Sequence, residues 1–201
     1  FLKKKWCLAE VSPEKVLALA EELDISHTLA ILLMNRGAAT ADEVKTFLQA
    51  DLSLLHDPFL MAGMDKAVER VIRAIEIQEA ITVFCDYDVD GVTSAAFLTH
   101  FFRDLKNPVS AYLPERKAEG YGLNVDAIRK IKEQGSTLMI TADCGITGVK
   151  EVALANGLGL DVIVTDHHQV GEEGLPNAIA VLNPHRDECN YPFRFLSGVG
   201  L

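Results

Sequence analysis

The sequence has no CxxC pair: Cys7, Cys85, Cys144 and Cys189 stand apart, so a zinc knuckle has no starting point. No apolar run reaches the roughly 18 residues of a membrane span. A GxxxxGK[ST] loop is absent, which removes nucleoside-triphosphate hydrolysis of that kind, and no GxGxxG marks a dinucleotide site. Positive charge is also scarce: 19 Lys and Arg against 29 Asp and Glu give a net charge of -10, too little for a broad basic surface that grips duplex DNA. Acidity does not exclude nucleic acid, because a handful of carboxylates committed to cations inverts the local field.

What is present is a well-packed globular chain of 201 residues with 49% hydrophobic residues and seven prolines, a length that suits one or two domains. Phe1 is not a natural start, so the sequence reads as a piece of a longer chain, and Phe1–Lys5 is too short for a signal peptide. Cys85 and Cys144, each beside a candidate ligand at a strand end, read as small buried hydrophobes in a reducing compartment, consistent with a cytoplasmic location and no membrane partner.

Residues 1 to 60 read as a small helical subdomain. Ser12-Pro13-Glu14 caps and opens a helix, and a second runs from Ser26 to Asn35 before Arg36-Gly37. Thr40-Ala41-Asp42-Glu43 has capping-box spacing for a third. Trp6 is read as a core residue, with a stacking platform as the alternative. His27, His56 and His100 have no partners by pattern and read as structural. After a linker at His56-Asp57-Pro58-Phe59, residues 61–201 change character. Met64–Ile77 is an amphipathic helix, with Ala67, Val68, Val71, Ile72 and Ile75 apolar. Strands are expected at 81–85, 109–113, 137–141, 161–165 and 178–182. Helices are expected at 92–105, 124–134 and 147–156. Nearly continuous apolar strands alternating with helices predict an α/β fold: a mostly parallel sheet with helices on both faces. Ligands of such sheets bind beyond the strands' carboxyl ends.

That rule collects the acidic residues. Asp86 follows the first strand, Asp143 the third and Asp166 the fourth, so separate strands deliver acid to one rim. Asp86, Asp88 and Asp90 are spaced by two; on extended backbone their carboxylates share a side, and so close a set repels itself unless a cation intervenes. Alternating aspartates also suit a solvated turn, and Asp143 alone suits a helix cap. Neither explains Asp166-His167-His168 at the end of a buried strand, where adjacent histidines make poor core residues. Imidazole with carboxylate suits Mn2+, Zn2+ or Fe2+, while Mg2+ prefers oxygen. One histidine can ligate while the other meets a phosphate or leaving group, and Asp166 can orient a ring through its second nitrogen. Asp143 suits a ligand shared by two metals about 3.5–4 Å apart, an arrangement that activates water against a phosphoester. Arg116 and Lys117 read as phosphate contacts or as solvated loop residues. Tyr121 and His185 read as lining the cleft. Ser197-Gly198-Val199-Gly200 reads as a tight turn or as phosphate-contacting amides.

Asp86-Tyr87-Asp88-Val89-Asp90-Gly91, Asp143-Cys144-Gly145 and Asp166-His167-His168, in this order and spacing, resemble the first three motifs of the DHH phosphoesterase superfamily, and of its single-strand-specific DNA exonuclease branch in particular. Supporting segments are Glu119–Leu123, Val181–Pro184 and Ser197–Gly200. The resemblance is good over residues 60–201 and extends into the N-terminal helices. It implies hydrolysis of single-stranded DNA from the 5′ end to mononucleotides, in recombination and repair, with two Mn2+ or Mg2+ ions. It further implies single-strand-binding protein and helicase as partners. By it, Asp88, Asp90, Asp143 and His167 match metal ligands, Asp86 an additional ligand, and His168 a phosphate-facing catalytic histidine; His167 and Asp143 join His168 as catalytic candidates. It also implies a further metal-binding aspartate and further domains beyond Leu201, so that this stretch alone would show weak metal binding and little activity. Two alternatives share the motifs: a phosphodiesterase of short oligonucleotides or cyclic dinucleotides, and a non-catalytic replication scaffold.

Overall fold

The computed structural model describes residues 7, 9–49 and 51–201; Trp6 and the Phe1–Lys5 segment lie outside the described residues. The chain divides into two compact units, Phe1–Leu55 and His56–Leu201.

The first unit packs three helices, α1 (Pro13–Leu23), α2 (His27–Met34) and α3 (Ala41–Gln49), around Val16, Leu19, Ala30, Leu33 and Val44. Their starts follow the local chemistry. The Ser12 and Ser26 hydroxyls accept from Lys15 N–H and Leu29 N–H, satisfying amides that a helix leaves without an internal partner. At α3 the Thr40 hydroxyl accepts Glu43 N–H at 3.3 Å while the Glu43 carboxylate accepts Thr40 N–H at 2.9 Å, the reciprocal box that the spacing predicts.

In the second unit, α4 (Met64–Glu76) precedes β1 (Ile81–Cys85). Then follow α5 (Val89–Asp104), β2 (Val109–Tyr112), α6 (Val125–Glu133), β3 (Leu138–Ala142), α7 (Val149–Gly157), β4 (Asp161–Thr165) and β5 (Ala180–Leu182). Residues 56–60, placed with the helical part by sequence, belong here. His56 meets Tyr191 edge-on at 5.7 Å, and Met61 is buried with Cys189 in the sheet's core.

All five strands are parallel, in the order β2-β1-β3-β4-β5. Apart from the edge strand β2, the strands are largely apolar on both faces because both are covered. Ile81, Val83, Cys85, Leu138 and Ile140 join the core with α4 and α5, and Phe84, Met139, Val162 and Val164 join the other with α6 and α7. The α/β class and the two-sided cover expected from sequence are therefore present. Of the stripe assigned to α4, Ala67 is buried and Ile72 is 50% exposed, so that face is only partly covered. Because β1 connects outward to β2 while β3 continues the other way, the order reverses between β1 and β3. The loops after these two strands diverge and leave a crevice, the general ligand position in open α/β sheets. Asp86 and Asp143 sit on those two loops.

Among the described residues, no helix is long and apolar enough to cross a membrane.

Candidate metal centre

Three strand ends build the centre. From β1, Asp86 is buried and its carboxylate accepts Tyr87 N–H at 2.7 Å. The chain does not stay extended as the alternating aspartates suggest. Asp88 caps α5 by accepting Gly91 N–H at 3.0 Å, and Asp90 already lies in the first helical turn. The helix begins three residues before the expected Val92 because aspartate's short acceptor competes for exposed N-terminal amides. A helix entry, not strand alternation, therefore sets how these carboxylates converge. The turn depends on Gly91, where an added Cβ would lie 2.1 Å from the Asp86 carbonyl oxygen.

From β3, Asp143 is buried and holds a left-handed backbone (φ 63°), a conformation that Asn and Asp tolerate best among residues with a side chain. The Thr141 hydroxyl pins the loop by donating to the Cys144 carbonyl at 2.8 Å. From β4, Asp166 is 1% exposed and fully engaged. Its Oδ1 meets His168 Nδ1 at 2.7 Å and accepts His168 N–H at 3.0 Å, while its Oδ2 accepts Ile146 N–H at 2.8 Å. Asp166 thus joins the third-strand loop to the fourth-strand loop and fixes the His168 ring, the role suggested for it by sequence.

Asp143 is common to two donor sets, each with ligand atoms mutually within 4.8 Å: Asp86, Asp88 and Asp143, and Asp143, His167 and His168. His167 Nδ1 lies 2.8 Å from the Leu196 carbonyl, which can only accept, so Nδ1 carries the proton. Its Nε2 then offers a lone pair 2.9 Å from Asp143 Oδ1. Two lone pairs at that separation repel unless a proton or a cation lies between them. The Asp143 carboxyl is pushed up to about 6, first by burial and then by the charges of Asp90 and Asp88. Burial also raises Asp86, although Tyr87 N–H, His168 and Arg116 pull the other way. His168 is raised overall: burial opposes its charge, but the Asp166 hydrogen bond and the surrounding carboxylates prevail. A self-repelling carboxylate group with a fixed imidazole nitrogen is the donor set of a hard to borderline divalent cation.

The remaining candidates divide. Asp90 stands at the edge: its oxygens accept Gly198 N–H at 2.6 Å and Val199 N–H at 2.8 Å, and Oδ2 is 3.8 Å from His167 Nε2. The Gly198 and Val199 amides therefore hold a carboxylate, and of the two readings of Ser197–Gly200 the tight turn is the one present, with Gly200 N–H donating to the Ser197 carbonyl at 3.1 Å. Gly198 is packed so closely that a Cβ there would lie 2.7 Å from Asp143 Cβ. Ser197 is exposed and makes no side-chain cap hydrogen bond. Tyr121 is at the rim, its hydroxyl 3.4 Å from His168 Nδ1. The Arg116 guanidinium lies 5.3 Å over the Tyr87 ring, and Lys117 is exposed. His185 was expected to line the cleft. Its backbone N–H is bound to Asn183 Oδ1 at 2.7 Å, and its side chain makes no hydrogen bond or ion pair with the cluster among the described residues. Cys85 and Cys144 are fully buried, as expected, and burial pushes the Cys85 thiol up to about 12. Sequence reasoning missed Asn183, fully buried, whose amide donates to the His168 carbonyl at 2.9 Å. The Asn-Pro step after β5 was the available signal. It also missed the Leu196 carbonyl, since a backbone acceptor has no side-chain signature.

Residues 80–201 match the DHH family, N-terminal domain, and the chain belongs to the DHH family. The single-stranded-DNA-specific exonuclease RecJ of Bacillus subtilis is 44% identical over 199 residues, covering 99% of this chain and 25% of the relative. A crystal structure of exonuclease RecJ bound to manganese aligns with a TM-score of 0.62 at 32% identity, over 75% of this chain and 37% of that one. RecJ from Thermus thermophilus in complex with Mn2+ aligns with a TM-score of 0.67 at 25% identity, over 96% of this chain and 26% of that one. The chain spans about a quarter of the length of the Bacillus subtilis relative.

Proposed function

We propose that this chain carries the metal centre of a divalent-cation-dependent exonuclease that hydrolyses single-stranded DNA from its 5′ end to mononucleotides, in recombination and repair. The observation that carries the proposal is Asp143, shared between two donor sets at the sheet's switch point. The substrate class is supported by similarity to relatives named for single-stranded-DNA-specific exonuclease activity.

In this reading Asp86, Asp88, Asp143 and His167 hold two cations, Mn2+ or Mg2+, with Asp90 setting the edge of the site. Bound cations there supply Lewis acidity and neutralise phosphoryl charge. Asp143, common to both donor sets, would be a ligand in each. The Leu196 carbonyl keeps the His167 proton on Nδ1, so that Nε2 stays available as a ligand. Asp166 holds His168 Nδ1 and aims its ring at the scissile phosphate, where Nε2 donates a hydrogen bond to a phosphoryl or leaving oxygen. Arg116 and Tyr121, at the rim, meet the phosphate backbone. A free single-stranded end has to be delivered, which fits a helicase and a single-strand-binding protein as partners. The buried free thiols Cys85, Cys144 and Cys189 suit the reducing cytoplasm.

The test is release of label by the full-length protein from 5′- and 3′-labelled single strands, duplexes and cyclic dinucleotides with added Mn2+. Mononucleotide released only from free 5′ ends of single strands is expected. Preferential cleavage of a dinucleotide, or binding without turnover, contradicts the proposal.

A further inference from the structure

Beside the centre, the segment Tyr191-Pro192-Phe193-Arg194-Phe195-Leu196 leaves two phenylalanines in solvent that none of the chemistry above uses: Phe193 is 46% exposed and Phe195 is 84% exposed. Their rings lie 5.9 Å apart at 72°, so they form one aromatic ledge. Single exposed apolar residues are ordinary on a protein surface, but a paired ledge with a cation between its members is not explained that way.

The ledge is rigidly mounted. Upstream, Cys189 is buried and Tyr191 packs on the sheet's core; downstream, Leu196 packs on the same core. The Leu196 carbonyl meets His167 Nδ1 at 2.8 Å, and Gly198 and Val199 are tied to Asp90. Phe195 is therefore one residue from a backbone group that orients a proposed metal ligand. Arg194, exposed between the rings, makes no ion pair among the described residues. The segment turns Tyr191 and Leu196 inward and leaves Phe193, Arg194 and Phe195 outward.

Aromatic faces interleaved with a cation are what single-stranded nucleic acid requires, because every base has a π-face to stack and every linkage a negative charge. We propose that Phe193 and Phe195 form a base-stacking subsite for a single strand whose phosphate lies at the metal centre, with Arg194 contacting the intervening backbone. This rests on the function proposed above. The occupant is a nucleic-acid strand, not a second protein surface, because the ledge is joined through Leu196 to the His167 contact and carries Arg194, a cation with no ion pair among the described residues, in an otherwise acidic chain.

The experiment measures fluorescence anisotropy of a labelled oligothymidylate of about 12 nucleotides, and of an abasic strand of equal length, bound to the protein without turnover. Phe195→Ala is expected to weaken oligothymidylate binding about tenfold, with a smaller loss for Phe193→Ala, while the abasic strand binds all variants alike. Phe195→Trp is expected to restore affinity, and its emission to be quenched by oligothymidylate beyond any response of Trp6, the chain's one native tryptophan. Equal affinities across the variants, or equal losses for both strands, overturn the subsite while leaving the nuclease reading intact. Phe195→Ala converting a dimer to a monomer with unchanged DNA affinity overturns it in favour of a self-interface. A wild-type protein that binds neither strand, and hydrolyses none, overturns both proposals.

Discussion

Asp143→Asn is expected to abolish metal binding and, in metal-free buffer at pH 8, to make the protein more stable than the wild type. The two effects have one cause. Asp143 is buried and faces Asp90 and Asp88, and its carboxyl is pushed up to about 6 from an ordinary value of 3.8. Below the ordinary value the group is protonated in both folded and unfolded chains, and the substitution changes little. Between the two values the unfolded chain loses its proton first, so wild-type stability falls as pH rises; above about 6 the penalty is complete, reaching up to about 3 kcal/mol. Asparagine removes the charge and keeps the left-handed backbone that Asp143 adopts at φ 63°. Asp143→Ala relieves the same repulsion but adds backbone strain, so its gain should be smaller. Thermal melts of the two variants against wild type, from pH 4 to pH 8 with chelator, check this. A destabilised Asp143→Asn at pH 8 would show that the carboxylates do not repel as the geometry requires. With Mn2+ the ranking should reverse: wild type gains stability in proportion to ligand occupancy and the variant does not. Hydrolysis by the variant is expected to fall by at least about 100-fold, because both donor sets lose their common member.

Gly91→Ala should be the most damaging conservative substitution in the second unit. A Cβ at Gly91 would lie 2.1 Å from the Asp86 carbonyl oxygen and 2.7 Å from the Asp86 nitrogen, both backbone atoms that cannot turn aside. Relief requires α5 to move off β1, which separates Asp88 and Asp90 from Asp86. A loss of about 3 kcal/mol is expected from overpacking at a backbone contact, lowering the melting temperature by roughly 10 °C in a domain of this size. The control is Gly157→Ala at the end of α7, where the added carbon meets nothing within 4 Å. There alanine should be neutral or stabilising by up to about 1 kcal/mol, because it restricts the unfolded chain. Equal melting temperatures for the two variants would contradict the tight entry into α5.

Much of this fold was legible in the residues alone. Apolar strands, the first four of them separated by helical periodicity, specify a parallel sheet, and the rule that ligands sit beyond strand carboxyl ends collects Asp86, Asp143 and Asp166 without any motif. Local chemistry was legible as well, as the Thr40–Glu43 box shows. The sequence misleads at Asp86-Tyr87-Asp88-Val89-Asp90, because spacing by two places side chains together only on extended backbone, and Asp88 starts a helix instead. What could not be read is non-local. The Leu196 carbonyl that fixes His167 lies 29 positions away, and the Gly198 amide that holds Asp90 lies 108 away. Both are backbone groups whose identity as partners exists only after the sheet has formed. Asn183 lies in the Val181–Pro184 segment that supports the resemblance, but its support of His168 depends on β5 lying beside β4.

The most direct test is anomalous scattering from crystals of the protein soaked in Mn2+. Manganese peaks are expected with Asp143 as a ligand, Asp86 and Asp88 on one side and His167 Nε2 on the other. Crystals that bind manganese elsewhere, with these four side chains free of the ion, would contradict a shared centre at the sheet's rim.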